Sequence, residues 1–305
     1  MDFIKINNVS KSFGRVKALE NINLHIKEGE LFGLIGPDGA GKTTLFKSLV
    51  TLSQTDEGNS EVCGLDTFKD RKKIRNIVGY MPGTFSLYSD LTVYENLKFF
   101  ADIFSTSIEE GFELIKDIWL QIEPFKNRPA GKLSGGMKQK LALCCALVHQ
   151  PQVLFLDEPT TGVDPVSRRE FWQMLKSLKT KNITIFVSTP YMDEAILCDR
   201  VALIQRGKIM TIDTPQQIIN SFPYTIYEVK SKKIFDIIKL FDDWDNTHSS
   251  NAFGKSVHFI SSKKDISESD INSFLEENGI SATKIKPIKA SIEDCFIEFM
   301  SNNKV

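Results

Sequence analysis

Apolar and polar residues alternate in the first 35 residues of the chain, and the pattern then changes to a continuous apolar run. In "NINLHI" every second residue from Ile22 to Ile26 is apolar, which predicts a half-buried antiparallel strand. "ELFGLIG" is almost entirely apolar, as is typical of a strand covered on both faces. The segment "TTLFKSLVTL" then places Leu45, Leu49 and Leu52 on one helical face. Strand, glycine loop and helix in this order are the start of an α/β unit.

The middle of the chain alternates between helix-like and strand-like segments. Residues 92 to 148 have apolar residues at helical spacing, as in "YENLKFFADIF" and "FELIKDIWLQI". "VLFLD" and "ITIFVST" predict short buried strands, with a helix over "SRREFWQMLKSLK" between them, and "RVALIQRGKIMT" predicts two short strands about a glycine turn. We therefore expect a largely parallel sheet with helices on both faces.

The pattern changes again near residues 221 to 224, where "SFPY" interrupts it. A strand ("TIYEVK"), a helix ("IFDIIKLFDDW"), a strand ("SVHFISS"), a helix ("ESDINSFLEENG") and a final strand and helix are expected after it. We predict two domains on this basis. The first covers residues 1–220 and includes a helical subdomain at about 84–148, and the second is a small α+β domain at 221–305.

Composition excludes several classes of protein. The chain has 38 basic and 39 acidic residues and a net charge of -1, so we expect no nucleic-acid partner. No segment approaches the roughly 18 to 20 apolar residues that span a bilayer, and the start lacks the pattern of a secretory signal. We expect a cytoplasmic chain. The five cysteines lack C-x-x-C spacing and predict reduced, mostly buried thiols, not disulfides or a metal site.

One glycine-rich loop carries a specific chemical signal. "GPDGAGKTT" fits the pattern G-x-x-x-x-G-K-[ST] between a predicted buried strand and a helix. Its backbone N–H groups can surround a phosphate, Lys42 can reach the β- and γ-phosphates, and the Thr43 hydroxyl can bind Mg²⁺. A glycine turn without function is the alternative, which the flanking strand and helix disfavour. The predicted nucleotide-binding residues here are Gly36, Pro37, Asp38, Gly39, Ala40, Gly41, Lys42, Thr43 and Thr44.

An acidic pair ends the later strand "VLFLD". Asp157 at the carboxyl end of a buried strand can hold Mg²⁺, often through water, and Glu158 can orient or deprotonate an attacking water. Taken alone, such a pair is most often only the start of a loop. Next to a phosphate loop it is the expected second half of an ATP site, with Glu158 as the catalytic residue and Thr43 and Asp157 as the metal ligands.

A Ser-Gly-Gly turn opens the helical segment "LSGGMKQKLALCCAL" before that strand. Ser134 can cap the helix, and Gly135 and Gly136 expose backbone N–H groups that form a second place for an anion. A local helix cap alone would also explain Ser134. The order of phosphate loop, Ser-Gly-Gly turn, acidic strand and the following "PTTGVDP" resembles the ATP-binding cassette (ABC) ATPases, in which the Ser-Gly-Gly turn is the signature motif.

The resemblance covers residues 1 to about 215 and implies an α/β fold, the P-loop NTPase of ABC type. That fold has a mixed, mostly parallel sheet, an antiparallel β subdomain and a helical subdomain, here followed by a small C-terminal α+β domain. ATP and Mg²⁺ are the implied cofactors, and Phe13 occupies the place of an aromatic that stacks on adenine. A core residue on an edge strand is the alternative for Phe13. In this family two such domains pair head to tail. The resemblance implies that Ser134, Gly135 and Gly136 contact the ATP held by the phosphate loop of the opposite domain, and that Asp164 lies at the interface between the two domains.

The end of the chain, "ASIEDCFIEFM", is similar to the closing stretch of many exporter subunits. The resemblance is to ATP-binding subunits of multidrug-type exporters, peripheral on the inner face of the cell membrane, whose permeases are separate chains. We expect Phe85, Leu87, Tyr88 and Leu91 to form an apolar surface for a permease helix. The alternative is that they belong to the core of the helical subdomain.

Two positions depart from the family's pattern. Its switch loop usually reads "GYMPQ", where the glutamine contacts Mg²⁺ and the attacking water, but this chain has Gly83 there. Its other γ-phosphate contact is a histidine, and this chain has Pro190. Neither residue can supply the missing contact, so hydrolysis should be slow while ATP binding survives.

The intact signature then suggests pairing with a second, more complete ATPase chain. A homodimer with two weakened sites is the rival interpretation. A soluble ABC protein of translation or DNA maintenance is disfavoured, because the chain has one phosphate loop, no sustained heptads and no basic patch.

Overall fold

The computed structural model describes residues 2–263, 265–282 and 284–302. The chain divides into two compact units after Pro215, and each is described by itself. The sequence pattern placed the boundary at residue 220, one short helix later. Within the described ranges no helix is long and apolar enough to cross a membrane.

The first unit combines two sheets with helices. Its strands are, in chain order, β1 (Asp2–Phe13), β2 (Val16–Lys27), β3 (Leu31–Ile35), β4 (Glu57–Val62), β5 (Leu65–Asp66), β6 (Val78–Met81), β7 (Val153–Asp157), β8 (Thr184–Thr189), β9 (Arg200–Gln205) and β10 (Lys208–Asp213). Its α-helices are α1 (Lys42–Leu49), α2 (Arg71–Ile77), α3 (Val93–Ile103), α4 (Ile108–Ile122), α5 (Gly135–Leu147) and α6 (Pro165–Thr180).

The central sheet has the strand order β10-β9-β3-β8-β7-β6. From β9 to β6 the neighbours are parallel, and only β10 is antiparallel, to β9. Every residue of β3, β7 and β8 is buried, which explains their continuous apolar runs and confirms the predicted parallel sheet. Parallel strands end along one edge, so the loops after β3, β8, β7 and β6 lie side by side there. This strand order positions the candidate site.

The second sheet, in the order β2-β1-β4-β5, is antiparallel. Ile22 and Ile26 are fully buried in β2, whereas His25 between them is exposed, as the alternation predicted. This sheet shares one hydrophobic core with α1 and the central strands, where Phe46 packs against Phe186 at 4.6 Å between ring centroids. The prediction for Leu52 is wrong, because α1 ends at Leu49 and Leu52 is exposed.

The region expected to be helical contains α3, α4 and α5, with Leu97, Ile115 and Leu141 fully buried. A capping box of Thr92 and Glu95 starts α3. The pattern gave no expectation for α2, β4, β5 or β6. These elements are too short, or too polar in the case of β4, for a regular spacing of apolar residues to be visible in the sequence.

The five cysteines of the chain are free thiols, as predicted. Four are buried and Cys63 is half-buried. Burial, with a smaller effect of nearby carboxylates, raises the pKa of the Cys63 and Cys295 thiols to about 12. They are therefore protonated and unreactive at neutral pH.

The second unit is the predicted α+β domain. Its strands are β11 (Ile226–Lys230), β12 (Thr247–Phe253), β13 (Ser256–Ser261) and β14 (Lys284–Ile288), and its helices are α7 (Pro215–Asn220), α8 (Ile234–Asp242), α9 (Glu268–Glu277) and α10 (Ile292–Asn302). The strands form an antiparallel sheet in the order β12-β13-β11-β14. From β11 to β14 the order is strand, helix, two strands, helix and strand, which is the ferredoxin-like arrangement. Strand β12 was not predicted, because "THSSNAF" has no apolar alternation.

Two histidine–carboxylate pairs connect α10 to this sheet. His258 Nδ1 lies 2.8 Å from Asp294 Oδ1, and His248 Nε2 lies 3.1 Å from Glu298 Oε2. Asp294 also accepts hydrogen bonds from the N–H and the hydroxyl of Ser291. Burial alone would raise the pKa of Asp294, but the hydrogen bonds from His258 and Ser291 outweigh it and the pKa is lowered.

We predict that Asp294→Asn loosens α10 at neutral pH. Hydrogen bonds to a charged group contribute about 1.5–3 kcal/mol, so amide protection in α10 should fall by about 10-fold or more in a hydrogen-exchange experiment. The pKa of Asp294 is lowered in the folded protein, so the ionised carboxylate stabilises the wild type fully at pH values above the ordinary carboxyl pKa. This stabilisation is lost as the pH falls through the lowered pKa. Glu293→Gln, at an exposed position of the same turn, is the control and should change nothing. Equal protection at pH 7 in Asp294→Asn and wild type would show that the pair does not hold α10.

Candidate functional site

The loop between β3 and α1 is bent by its glycines for two different reasons. Gly39 and Gly41 have positive φ angles of 77° and 106°, a region in which other residues are strained. Gly36 has no such angle, but a Cβ there would lie 2.1 Å from the carbonyl oxygen of Ile204 in β9. Gly36 is therefore required for close packing against the next strand.

Lys42 is the first residue of α1, and its ammonium group points back into this loop. Nζ donates hydrogen bonds to the carbonyl oxygens of Gly36 (2.8 Å) and Pro37 (2.9 Å). It also lies 3.0 Å from Oε1 of Glu158, and the lysine side chain is only 2% exposed. A buried charge has to be paired, so Glu158 neutralises it. The structure thus brings together the loop and the acidic pair, which lie far apart in the sequence.

Asp157 and Glu158 are held by the neighbouring strand β8. Asp157 is 2% exposed, and its Oδ1 accepts a hydrogen bond of 2.7 Å from the Ser188 hydroxyl. The N–H of Glu158 donates to the carbonyl oxygen of Ser188 at 3.0 Å. Glu158 has a φ of 49°, a left-handed conformation that costs on the order of 1–3 kcal/mol and persists only where the surroundings impose it.

The donor set suits magnesium better than a softer metal. Thr43, with its hydroxyl, is the second residue of α1, and Asp157 ends β7 at the same edge of the sheet. Mg²⁺ prefers oxygen ligands and keeps several waters or phosphate oxygens in its shell. Among the residues that the structure describes, no cluster of three or more His, Cys, Asp or Glu side chains could hold a metal ion by itself. Thr43 and Asp157 are the residues of this site that could hold Mg²⁺, with phosphate oxygens completing its shell.

Both departures from the family pattern lie at this edge of the sheet. A Cβ on Gly83 would be 3.1 Å from the carbonyl oxygen of Asp157 and 3.7 Å from the Cβ of Glu158. Pro190 directly follows β8, and the carbonyl of Thr189 before it accepts the N–H of Gly36 at 3.2 Å. Positions 83 and 190 therefore border the acidic pair and the phosphate loop, and neither offers a side-chain hydrogen bond.

A depression of about 350 Å³ opens above the loop. Val16, Lys17, Ala18 and Arg206 line it together with Lys42, Thr43, Thr44, Glu158 and two loop glycines. Phe13 ends β1 nearby in sequence and is 56% exposed, with the Lys11 ammonium 5.5 Å from its ring centroid. This exposure contradicts the alternative that Phe13 is a core residue.

The signature residues do not line this depression. Ser134 caps α5, where its hydroxyl accepts the N–H of Met137 at 3.4 Å, and this confirms the expected cap. A Cβ on Gly136 would lie 2.5 Å from the Ser167 hydroxyl oxygen and 2.8 Å from its Cβ, whereas one on Gly135 would meet only the Gly162 carbonyl at 3.6 Å. Packing within the chain therefore explains a glycine at 136 but not at 135.

Asp164 also has a local role. It caps α6 by accepting the N–H groups of Ser167 (3.0 Å) and Val166 (3.1 Å). Hydrogen bonds from Ser167 lower the pKa of this exposed carboxyl. A role at the seam between two chains would be additional to this cap.

An apolar groove of about 410 Å³ lies on another side of the first unit. Its lining includes Leu52, Met81, Phe85, Phe100, Ile103 and Ala142. Phe85 and Tyr88 are exposed and Leu91 is half-buried. Leu87 also lines the groove, but it is largely buried, at 8% exposed.

Several residues of the site gave no signal in the sequence. Ser188, the partner of Asp157, is an ordinary polar residue at a strand end, and Arg206 lies on a turn remote from the loop in sequence. Val16 could have been suspected only from its nearness to Phe13. Glu194 is a buried carboxylate, but it follows the Pro190 turn in a polar segment that gives no hint of burial.

Fold and site together define a P-loop ATPase of cassette type, and comparison with known proteins agrees. A family model described as "ABC transporter" matches residues 19–161. The Nod factor export ATP-binding protein I of Burkholderia lata is 39% identical over 221 residues, 72% of this chain and 73% of that protein. The chain therefore belongs to the ABC transporter ATP-binding proteins.

A second relative matches a longer part of the chain, and solved structures match a shorter part. The probable multidrug ABC transporter ATP-binding protein YbhF of Escherichia coli is 39% identical over 249 residues, which are 81% of this chain but only 43% of that protein. The chain thus spans less than half the length of this relative. Among solved structures, CbiO1 of Clostridium perfringens, part of the ABC transporter complex CbiONQ, has a TM-score of 0.65 at 27% identity and covers 72% of this chain and 91% of its own. A dimeric bacterial ABC transporter cassette has a TM-score of 0.62 at 28% identity, over 69% of this chain and 98% of its own.

We predict that Gly136→Ala destabilises the first unit, whereas Gly135→Ala does not. The Cβ at 136 has to displace Ser167 and with it α6, and such overpacking typically costs about 1–3 kcal/mol. The Cβ at 135 makes only ordinary contact. Urea unfolding of the two variants gives both free energies. Equal stabilities would mean that α5 and α6 are not packed as described.

Proposed function

We propose that this chain is the ATP-binding and hydrolysing subunit of an ABC exporter, peripheral on the cytoplasmic face of the membrane and coupled to separate permease subunits. The observation that carries the proposal is the meeting of Lys42, Glu158 and Asp157 at one edge of the sheet, with the ammonium of Lys42 3.0 Å from the carboxylate of Glu158. The names of the relatives, a probable multidrug transporter protein and Nod factor export proteins, support export.

The residues of the site divide the work of binding and hydrolysis. The N–H groups of the loop and the first turn of α1 face the phosphates, and Lys42 exchanges its contact with Glu158 for one with a phosphate oxygen. Glu158 is then free to accept a proton from the attacking water. Magnesium, when bound by Thr43 and Asp157, would neutralise phosphate charge. The exposed ring of Phe13 offers a stacking surface for adenine.

The site of this chain is proposed to be slow. Gly83 and Pro190 border the acidic pair and the phosphate loop without a side chain that can contact a γ-phosphate or a water. We infer that the chain pairs head to tail with a second ATPase chain and donates its signature turn to the more complete site. The open surroundings of Gly135 support this, since the glycine leaves room for a group from outside the chain. A homodimer with two weakened sites is the second candidate.

The apolar groove is proposed as the permease contact. Phe85 and Tyr88, both exposed, lie just after Gly83 in the loop that follows β6. A partner helix seated there would respond directly to movement of that loop. A soluble, non-transport ABC protein is the remaining alternative, and it predicts that the native protein does not sediment with membranes.

We predict that restoring both family residues speeds hydrolysis. Loss of one preorganised contact typically costs about 10²–10³ in rate, so the double variant Gly83→Gln, Pro190→His should turn over ATP at least about 10-fold faster. The glutamine Cβ fits if the Asp157 carbonyl moves by a few tenths of an ångström. Lys42→Ala in the same background should abolish the gain. An unchanged rate with normal ATP binding would refute the proposed role of these two positions.

A second prediction separates the asymmetric pair from the homodimer. The purified chain alone should hydrolyse ATP more slowly than a mixture with its partner ATPase, because the complete site needs the partner's phosphate loop and this chain's signature. Glu158→Gln should leave the rate of the mixture largely intact. If the chain alone matches every mixture and Glu158→Gln abolishes that turnover, the homodimer is correct.

A further inference from the structure

A buried carboxylate lies behind the candidate site. Glu194 belongs to the short 3₁₀ turn Met192–Leu197 after β8 and is 2% exposed. Its Oε1 accepts a hydrogen bond of 2.8 Å from the Thr160 hydroxyl and one of 3.1 Å from Arg168 Nε, and its Oε2 accepts the Thr189 hydroxyl. An ionised carboxylate at this depth requires such partners, and Arg168 supplies the opposite charge.

The partners of Glu194 come from the elements that surround Glu158. Thr160 lies two residues after Glu158, in the loop that leaves β7. Thr189 is the last residue of β8 and directly follows Ser188, whose carbonyl accepts the Glu158 N–H. One carboxylate thus joins the loop after β7 to the end of β8.

The backbone of Glu158 needs this connection. Its φ of 49° is strained, and the N–H of Thr161 donates to its carbonyl at 3.2 Å to close a tight turn. The turn is fixed at its start by the bond from Glu158 to Ser188 and at Thr160 by Glu194. Both anchors belong to one continuous segment, 188–194.

We propose that Glu194 is a positioning residue for hydrolysis. It holds the loop after β7 so that Glu158 keeps its strained backbone and its carboxylate stays at the phosphate loop. The inference rests on the proposed function, in which Glu158 accepts the proton of the attacking water. In this chain no side chain at positions 83 or 190 can hydrogen-bond to that loop. Lys42 contacts the Glu158 carboxylate, while Ser188 and Glu194 hold the backbone of the loop.

We predict that Thr160→Val releases Glu158 without unfolding the protein. The substitution keeps the shape of the side chain and removes the hydroxyl that reaches Glu194, while Arg168 and Thr189 still pair with that carboxylate. The rate constant for hydrolysis should fall about 10- to 100-fold, as expected for a misplaced catalytic group. The Kd for ATP should change much less than the rate, because Lys42 keeps its contacts with the loop and the loop itself is unaltered.

Amide hydrogen exchange in the full chain gives a readout that does not depend on turnover. The Glu158 N–H, bonded to Ser188, should lose protection in Thr160→Val and in Glu194→Gln, and Thr160→Ser should restore it. The matched control is Glu30→Gln, because Glu30 is another buried carboxylate (7% exposed) paired with an arginine, Arg200, but it lies before β3 at the opposite edge of the sheet. It should leave both the Glu158 amide and the rate unchanged.

The outcomes distinguish this inference from the proposed function. Unchanged Glu158 protection in Thr160→Val and Glu194→Gln overturns the positioning role, even if Glu158→Gln abolishes hydrolysis and the proposed function stands. An effect of Glu30→Gln equal to that of Glu194→Gln also overturns it, because the loss would then reflect general destabilisation. If Lys42→Ala binds ATP like the wild type, it is the proposed function that fails.

Discussion

The buried ammonium group of Lys42 is the constraint on which the rest of the site depends. A charge at this depth is tolerated only with full pairing, and two carbonyl groups of its own loop cannot neutralise it. The neutralising carboxylate is that of Glu158, which follows β7, two strands away from β3 in the sheet. Strands β3, β8 and β7 are parallel neighbours, so the loops after β3 and β7 lie at the same edge of the sheet. The strained backbone of Glu158 and the bonds that Ser188 makes to the acidic pair lie at this meeting point.

Contacts within the chain explain the residue type at some functional positions and leave it unexplained at others. Gly36 and Gly136 are glycines because a Cβ would strike Ile204 or Ser167. A Cβ on Gly135 would make only ordinary contact, and Phe13 is 56% exposed. This exposure agrees with the proposal that both residues meet groups from outside the chain, a nucleotide for Phe13 and the opposite site for Gly135.

The sequence predicted those parts of the site whose chemistry is local. The phosphate loop, the acidic strand and the capped signature helix each depend on a short run of residues, so spacing and polarity reveal them. The role of Glu194 depends instead on Thr160 and Arg168, which lie far from it in the sequence and meet it only in the fold. A polar residue in a polar turn gives no sign that it is buried. Short or polar strands such as β6 and β12 were not predicted for a related reason. A regular spacing of apolar residues is visible only when it is repeated several times.

The central claim is that this chain holds ATP in a site poorly equipped to hydrolyse it. The most direct measurement is the identity of the nucleotide that remains bound after the purified chain is incubated with Mg²⁺ and ATP and separated from free nucleotide. The account predicts that the bound nucleotide is recovered mainly as ATP, and that Lys42→Ala retains none. Recovery mainly as ADP would contradict the slow site, and the absence of bound nucleotide from the wild-type chain would contradict the site itself.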